Sequence, residues 1–407
     1  MVMNYNKLFS KQTLNMRSSI IREMLSSTKG IPGLISFAGG FPAPETFPKE
    51  DIAQIFADVI KNEGDDILQY GASEGDRLLK EQLRRVETDL EGLKDEEILV
   101  TVGSTNGIYL YAASLVNEGD VILAEAPSFL GSLLAFESMG ADLVSIDMDD
   151  EGIIPEKMSE VAEQLKKEGK NIKFLYLIPD FQNPRGTTMS HKRRKEIIEV
   201  ASEYNIPILE DNPYGPLRYA GEKVKSMYSI ARYEMGNPDT VTMVKSFSKI
   251  LGPGLRLAYI IGSEILIGKM CSWMQKVNVS PDCVAQRAVA EYLKRDLLMP
   301  HVETVRDFYR PRMNAMIDSM NKFMPDGLKW TKPDGGMFLW IELPEKINGD
   351  ELFEKAKKFK IAFIPGSNFY PKGREKYNCM RLNFSYPTPE QIETGIERLA
   401  ELIKSEM

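Results

Sequence analysis

The sequence predicts an α/β protein: a large domain whose mostly parallel seven-stranded sheet lies between helices, followed by a smaller α+β domain. Three observations predict it. Short apolar runs alternate with amphipathic helices through the middle of the chain, as strands covered on both faces by crossover helices require. Past about residue 280 that alternation gives way to a long helical region, a hairpin pattern and further strand candidates. The chain has 407 residues, enough for more than one hydrophobic core.

In chain order, "MRSSIIREML" (16–25) places Met16, Ile20, Ile21, Met24 and Leu25 on one helical face. The Gly/Pro-rich stretch "KGIPGLISFAGGFPAPETFP" reads as extended chain with turns. The strand candidates are Ile98–Val102, Val121–Ala124, Asp142–Ile146, Lys173–Ile178, Ile206–Glu210, Thr240–Val244 and Leu257–Ile261, with helices such as "GIYLYAASLV" and "KRRKEIIEVASEY" between them. Beyond them come the helical "VAQRAVAEYLKRDLLMPHVETVRDFYRPRMNAMIDSMNKFM", the hairpin-like "LKWTKPDGGMFLWIEL", the strands "IAFIPG" and "MRLNFS", and a last helix, "PEQIETGIERLAELIKSE". These boundaries divide the chain into an N-terminal segment (1–45) that packs with the small domain, a large domain (46–290) and a small C-terminal domain (291–407).

Hydrophobic content of 43% with 27% charged residues describes a soluble globular protein. A net charge of -8 argues against nucleic acid or an anionic membrane as the partner. The start, "MVMNYNKLFSKQ", has no apolar signal region, and no apolar run approaches the roughly 18 residues that span a bilayer. Three isolated cysteines without C-x-x-C spacing and two histidines 110 residues apart indicate neither disulfides, nor a metal, nor a histidine triad. A cytoplasmic protein working with lysine, tyrosine or carboxylate is expected.

Open α/β sheets place ligands at strand C-termini, and these strand ends carry reactive residue types. After "ILVTV" comes "GSTNG" opening a helix, where Ser104, Thr105 and free backbone amides suit a phosphate, although a Ser/Thr N-cap is the ordinary alternative. After "LAEA" comes Phe129, able to stack on a flat ring or to fill a core. "PDFQNPRG" brings Asn183 in a turn, and "EDNPYG" brings Asp211 with Tyr214. "VKSFSKILGPGLR" brings Ser246, Lys249 and Arg256; a solvated basic loop is its plain alternative. Together they supply a phosphate cradle, a stacking ring, an amide, a carboxylate, an amine and a guanidinium. Pyridoxal 5′-phosphate needs that set: donors for its phosphate, a carboxylate for its ring nitrogen and a lysine for its aldehyde.

On these motifs the chain resembles the fold-type-I, pyridoxal-phosphate-dependent aminotransferases of the aspartate aminotransferase superfamily, and within them the branch of 2-aminoadipate and kynurenine aminotransferases. The resemblance runs from about residue 12 to the C-terminus. "SFSK" with "GPGLR" stands behind "QNPRG" and "EDNPYG" and ahead of "MRLNFS", with 28 residues from Asn183 to Asp211, 38 on to Lys249 and 132 on to Arg381.

The resemblance implies that Lys249 holds the cofactor as a Schiff base and moves the substrate proton, and that Asp211 pairs with the pyridine nitrogen. Asn183 and Tyr214 would hydrogen-bond the ring oxygen. Ser104, Thr105, Ser246 and Arg256 would bind the phosphate, and Phe129 would stack on the ring where the family more often has tyrosine. Arg381, with Asn183, would hold the substrate α-carboxylate. Tyr70, in "LQYGASEG", would reach the phosphate of a neighbouring subunit, which implies a homodimer with shared sites. "SFAGGFPAPETFP" matches a substrate-covering segment in which Gly39 and Gly40 lie close to substrate. Arg22 would meet a side-chain carboxylate. The implied reaction is ping-pong transamination from an L-amino acid (2-aminoadipate, glutamate, branched or aromatic donors) to a 2-oxo acid such as 2-oxoglutarate. A β-lyase or decarboxylase on the same scaffold stays open, since fold does not fix reaction. So, more remotely, does a regulator-type effector domain; only about 30 residues precede "LISFAGG", too few for a DNA-binding domain.

Overall fold

The middle of the chain builds the sheet. In the computed structural model, eight strands lie, among the described residues, in the order Ile98–Thr101, Ala258–Ile261, Val241–Ser246, Ile208–Asn212, Ile172–Leu177, Val121–Ala126, Asp142–Asp149 and Gly152–Ile153. The structure describes residues 3–16, 20–28 and 30–407. All seven expected strands are present. The eighth, Gly152–Ile153, is a two-residue return on Asp142–Asp149, too short to show an apolar pattern. From Asp142–Asp149 across to Val241–Ser246 the neighbours are parallel, and Ala258–Ile261 runs against both of its neighbours. The inner parallel strands, Val121–Ala126, Ile172–Leu177, Ile208–Asn212 and Val241–Ser246, are mostly buried on both faces, whereas Asp142–Asp149, toward the edge, is largely half-buried or exposed.

The expected strand Ile206–Glu210 runs instead over Ile208–Asn212. Pro207 has no N–H to donate; its carbonyl accepts from Leu175 N, and paired residues begin with Ile208 opposite Leu175. Asp211 therefore sits within the ladder, opposite Val244, instead of in a turn after it. Lys245 and Ser246 likewise belong to Val241–Ser246.

The C-terminal part forms an antiparallel sheet in the order Lys329–Trp330, Phe338–Glu342, Cys379–Asn383, Ile364–Pro365. The helices Leu298–Phe323 and Pro389–Glu406 pack together there. Ile35–Ser36 pairs in parallel with Ile361–Ala362, which ties the N-terminal segment to this region before it crosses to the large sheet. Thr331 Oγ1 donates to the Arg185 carbonyl at 2.6 Å, and the Arg185 guanidinium meets Glu342 at 3.4 Å and Asp150 at 3.0 Å, bridging the two sheets' regions beside Asn183. The helix expected over 16–25 occupies Ile20–Thr28, preceded by a short helix, Lys11–Asn15.

Candidate active site

Side chains alternate faces along a strand, and this decides what Asp211 meets. Its neighbours Glu210 and Asn212 turn to Tyr228 N and Asp180. Asp211 and Leu209 share the other face, and Leu209 is opposite Tyr176 on the adjacent strand. The Tyr176 hydroxyl donates to Asp211 Oδ2 at 2.8 Å. Asp211 Oδ1 is buried and has no partner. Burial raises the Asp211 carboxyl to about 7 against the lowering pull of the Tyr176 hydrogen bond; Glu210 adds to the rise and Lys249 opposes it. A buried carboxylate with one oxygen pinned and one left over is suited to a cationic N–H donor.

Lys249 lies in the turn after Val241–Ser246, where the Phe247 carbonyl accepts from three successive amides, those of Ile250, Leu251 and Gly252. Its ammonium donates to the Gly40 carbonyl at 3.0 Å. Loss of hydration first, then Arg381 and Arg256, bring its pKa down to about 8, with Asp211 working in the opposite sense. A lysine so held keeps a useful share of neutral amine at neutral pH.

The helix Ser104–Leu115 begins directly beyond Ile98–Thr101, with Gly103 at φ 78° as its N-cap. A Cβ at Gly103 would lie 2.4 Å from Arg256 Nη2, so only glycine lets that guanidinium cross the helix start. Arg256, itself left-handed at φ 47°, is exposed, and among the described residues its hydrogen bonds go to carbonyls, those of Val102 at 3.4 Å and Pro253 at 3.5 Å. Ser246 Oγ donates to Ser248 Oγ at 3.0 Å and accepts from Ser248 N at 3.1 Å. Free amides, hydroxyls and an unneutralised guanidinium suit a phosphate.

Arg381 is 2% exposed and, among the described residues, meets no carboxylate. It donates to Asn183 Oδ1 at 3.0 Å and to the Ala38 carbonyl at 2.9 Å, while its Nε has no partner. Its guanidinium carbon lies 4.3 Å from the Phe338 ring centre and 5.0 Å from that of Phe369. Burial lowers its pKa to about 10. Asn183 Nδ2 in turn points to the Tyr214 hydroxyl at 3.5 Å. Gly39 and Gly40 bring the N-terminal segment over this group: a Cβ on Gly40 would touch Phe338 at 3.4 Å, and one on Gly39 would press on Phe41 at 3.1 Å.

The fold thus draws Lys249, Asp211, Asn183, Tyr214, Arg381 and Gly40 into one constellation, with the helix start and Arg256 beside it. Phe129 is half-buried at the N-cap of Leu130–Ser138, its ring against Gly131. Ser104 is half-buried and Thr105 exposed. Tyr70 is 83% exposed. Arg22 belongs to the helix Ile20–Thr28, but its side chain lies outside the described residues. Tyr176, Gly103 and Ser248 take part here without a role expected from the sequence. Ser248 stands inside "SFSK" and Gly103 opens "GST", so local signals existed for both. Tyr176 had none: within "KFLYLI" it reads as a core aromatic.

Pyridoxal 5′-phosphate fits these residues by the chemistry of the donor set: Asp211 Oδ1 is left over for a protonated ring nitrogen, Lys249 for an aldehyde, and the Gly103–Arg256 corner for a phosphate. The family model described as aminotransferase class I and II matches residues 35–399. An aromatic-amino-acid aminotransferase of Thermococcus litoralis is 42% identical, covering 100% of this chain and 96% of that protein. The crystal structure of Pyrococcus horikoshii kynurenine aminotransferase, in complex with PMP, superposes with a TM-score of 0.94 at 39% identity, covering 99% of this chain and 98% of the other. That of the α-aminoadipate aminotransferase LysN from Thermus thermophilus, complexed with N-(5′-phosphopyridoxyl)-L-leucine, gives 0.90 at 32% identity, covering 99% of each.

Proposed function

The chain belongs to the aminotransferase class I and II family, and on that premise we propose that it is a pyridoxal-phosphate enzyme moving the amino group of an L-amino acid to a 2-oxo acid in two ping-pong half-reactions. The donors proposed are 2-aminoadipate, glutamate and amino acids with aromatic or branched side chains, with 2-oxoglutarate as the acceptor. The names of the relatives above, aromatic, kynurenine and α-aminoadipate aminotransferases, support that range. One observation carries the reading. A buried guanidinium that meets no carboxylate among the described residues, Arg381, stands with the Lys249 amine and the half-satisfied Asp211 in one site, and an α-amino acid brings a carboxylate together with an amine.

Pyridoxal phosphate, when bound, supplies an electrophilic carbon for amines and a ring that takes up the electrons released at the substrate Cα. Lys249 would hold the cofactor through its amine, and that amine, when free, would carry the substrate Cα proton. Asp211 keeps the ring nitrogen protonated by offering Oδ1. Ser104, Thr105, Ser246 and Arg256 would bind the phosphate, Phe129 would stack on the ring, and Asn183 and Tyr214 would hydrogen-bond the ring oxygen. Arg381 and Asn183 fix the α-carboxylate, and Gly39 and Gly40 let the N-terminal segment lie over the substrate and exclude water. Arg22 reads a side-chain carboxylate.

The proposal includes a homodimer, in which Tyr70 reaches the partner's phosphate site. Its 83% exposure here, beside Leu68 at 70% and with Ile265 at 83%, supports a surface meant to be covered. The division at about residue 290 is part of the same reading, supported by the separate antiparallel sheet beyond it.

The test is an absorbance spectrum of the protein with pyridoxal phosphate, before and after 2-aminoadipate and then 2-oxoglutarate. A band bleached by the amino acid and restored by the oxo acid is expected. A band that never bleaches, or products without a conserved amino group, would overturn transamination. Repeating the measurement with glutamate, leucine and aromatic donors ranks the substrates.

A further inference from the structure

Behind Asp211 lies a buried chain of hydroxyls that the mechanism above does not use. Ser132, on the helix Leu130–Ser138, has its Oγ 2.9 Å from the Tyr176 hydroxyl. That hydroxyl donates onward to Asp211 Oδ2 at 2.8 Å. Since its one proton goes to Asp211, the Tyr176 oxygen accepts from Ser132, and the order Ser132 to Tyr176 to Asp211 is fixed. All three are buried, and the Tyr176 ring is held edge-on by Phe136, 5.4 Å away from the same helix. The helix that starts at Phe129 thus also carries the first donor of the chain. We propose that Tyr176 is a positioning residue for the reaction. By occupying Oδ2 it turns Oδ1 toward the cofactor's ring nitrogen, and by donating to the carboxylate it keeps Asp211 anionic enough to hold that nitrogen's proton.

This inference rests on the pyridoxal-phosphate reading and goes beyond it, since neither the fold nor the cofactor requires a donor at Oδ2. A tyrosine in the interior of a parallel sheet is otherwise a poor choice beside Phe174 and Leu175, because its hydroxyl must be satisfied. The charged and titratable groups facing this pair are Lys249, Glu210, Glu125 and Tyr214. Lys249 favours the Asp211 anion and Glu210 opposes it. Glu125, itself raised to about 8 by burial, acts on Tyr176 in the same direction as Asp211 does. With Lys249 taken up by the cofactor, the Tyr176 hydrogen bond is the neutral donor left to sustain the Asp211 charge. The chain transfers no proton: it is a fixed set of dipoles preorganised for the ring cation.

The experiment compares wild type, Tyr176→Phe and Ser132→Ala as full-length proteins reconstituted with pyridoxal phosphate. Three quantities are read: the pH midpoint of the bound chromophore's absorbance, the cofactor dissociation constant, and kcat separately from KM. Losing a donor to the carboxylate weakens the positive charge held at the ring nitrogen, and a weaker charge there lets the Lys249 Nζ, attached to the cofactor, keep its proton to higher pH. For Tyr176→Phe the midpoint is therefore expected to move up by about one pH unit, the size of one charge-assisted hydrogen bond. Cofactor affinity and kcat each fall about ten-fold, while KM for the amino donor, set at Arg381, stays within two-fold. Ser132→Ala moves the midpoint the same way by less, and it decides the matter alone if Tyr176→Phe does not fold. A lower melting temperature with unmoved midpoint and kcat makes Tyr176 a packing residue and overturns the proposal. A wild type that binds no cofactor sinks the functional reading instead, so the two failures are distinguishable.

Discussion

Replacing Arg381 by methionine is expected to remove activity with little change in stability, because two opposing effects on the fold nearly cancel while substrate binding has no such compensation. The guanidinium is 2% exposed and, among the described residues, meets no carboxylate. Its fall from 12.5 to about 10 corresponds to roughly 3 kcal/mol against the buried cation, at about 1.4 kcal/mol per pH unit. Methionine removes that cost and fills the slot between Phe338 and Phe369 with a flexible thioether. It also leaves Asn183 Oδ1 and the Ala38 carbonyl without their donor, at roughly 1–3 kcal/mol for each. The net change is near zero, and the thermal midpoint is expected within a few degrees of wild type. For the α-carboxylate, loss of the buried cationic partner costs about 2–5 kcal/mol, or roughly thirty- to five-thousand-fold in kcat/KM. The assay pairs an L-amino acid with a simple primary alkylamine in the first half-reaction, followed by absorbance. The loss should be confined to the amino acid, because the alkylamine has no carboxylate for Arg381 to hold. Equal losses for both donors, or an unfolded variant, would show Arg381 to be structural. Activity retained within ten-fold would remove it from substrate binding.

Three further outcomes follow from the same site. Attachment of the cofactor to apoprotein needs neutral Lys249, so its rate should rise with pH with a midpoint near 8; a midpoint near the ordinary lysine value of 10.5 would contradict the environment described. Glu125, buried and accepting from Ile178 N and Gln182 Nε2, has its carboxyl raised from 4.5 to about 8. Its contribution is thus most favourable below pH 4.5 and is lost as pH rises toward 8. Glu125→Gln has no such loss, so its melting temperature should gain on wild type from pH 5 to pH 8; a constant difference would refute the assignment. Arg22→Ala should harm 2-aminoadipate and glutamate more than leucine or phenylalanine in kcat/KM, and equal losses would remove Arg22 from side-chain recognition.

Much of this was legible in the chain. The short apolar runs between Ile98 and Ile261, alternating with amphipathic helices and bounded by turn residues, marked the strands, and the ends of those strands marked where ligands can sit. Lys249, Asp211, Asn183 and Arg381 could be singled out because amine, carboxylate, amide and guanidinium at those spacings carry chemistry wherever they occur.

Strand limits and partners were decided elsewhere. Pro207 shifted a strand by two residues and placed Asp211 inside the ladder. The pairing of Leu209 with Tyr176 then set that hydroxyl on Asp211 Oδ2 and left Oδ1 alone. Arg381 is buried against two phenylalanines and donates to the Ala38 carbonyl, 343 residues away along the chain, with no carboxylate partner among the described residues. Residue type and spacing are properties of the chain and can be read from it. Which hydrogen-bonding capacity is spent and which is left over depends on burial and on neighbours remote in sequence, and that is settled only when the large sheet and the small antiparallel sheet close around the site.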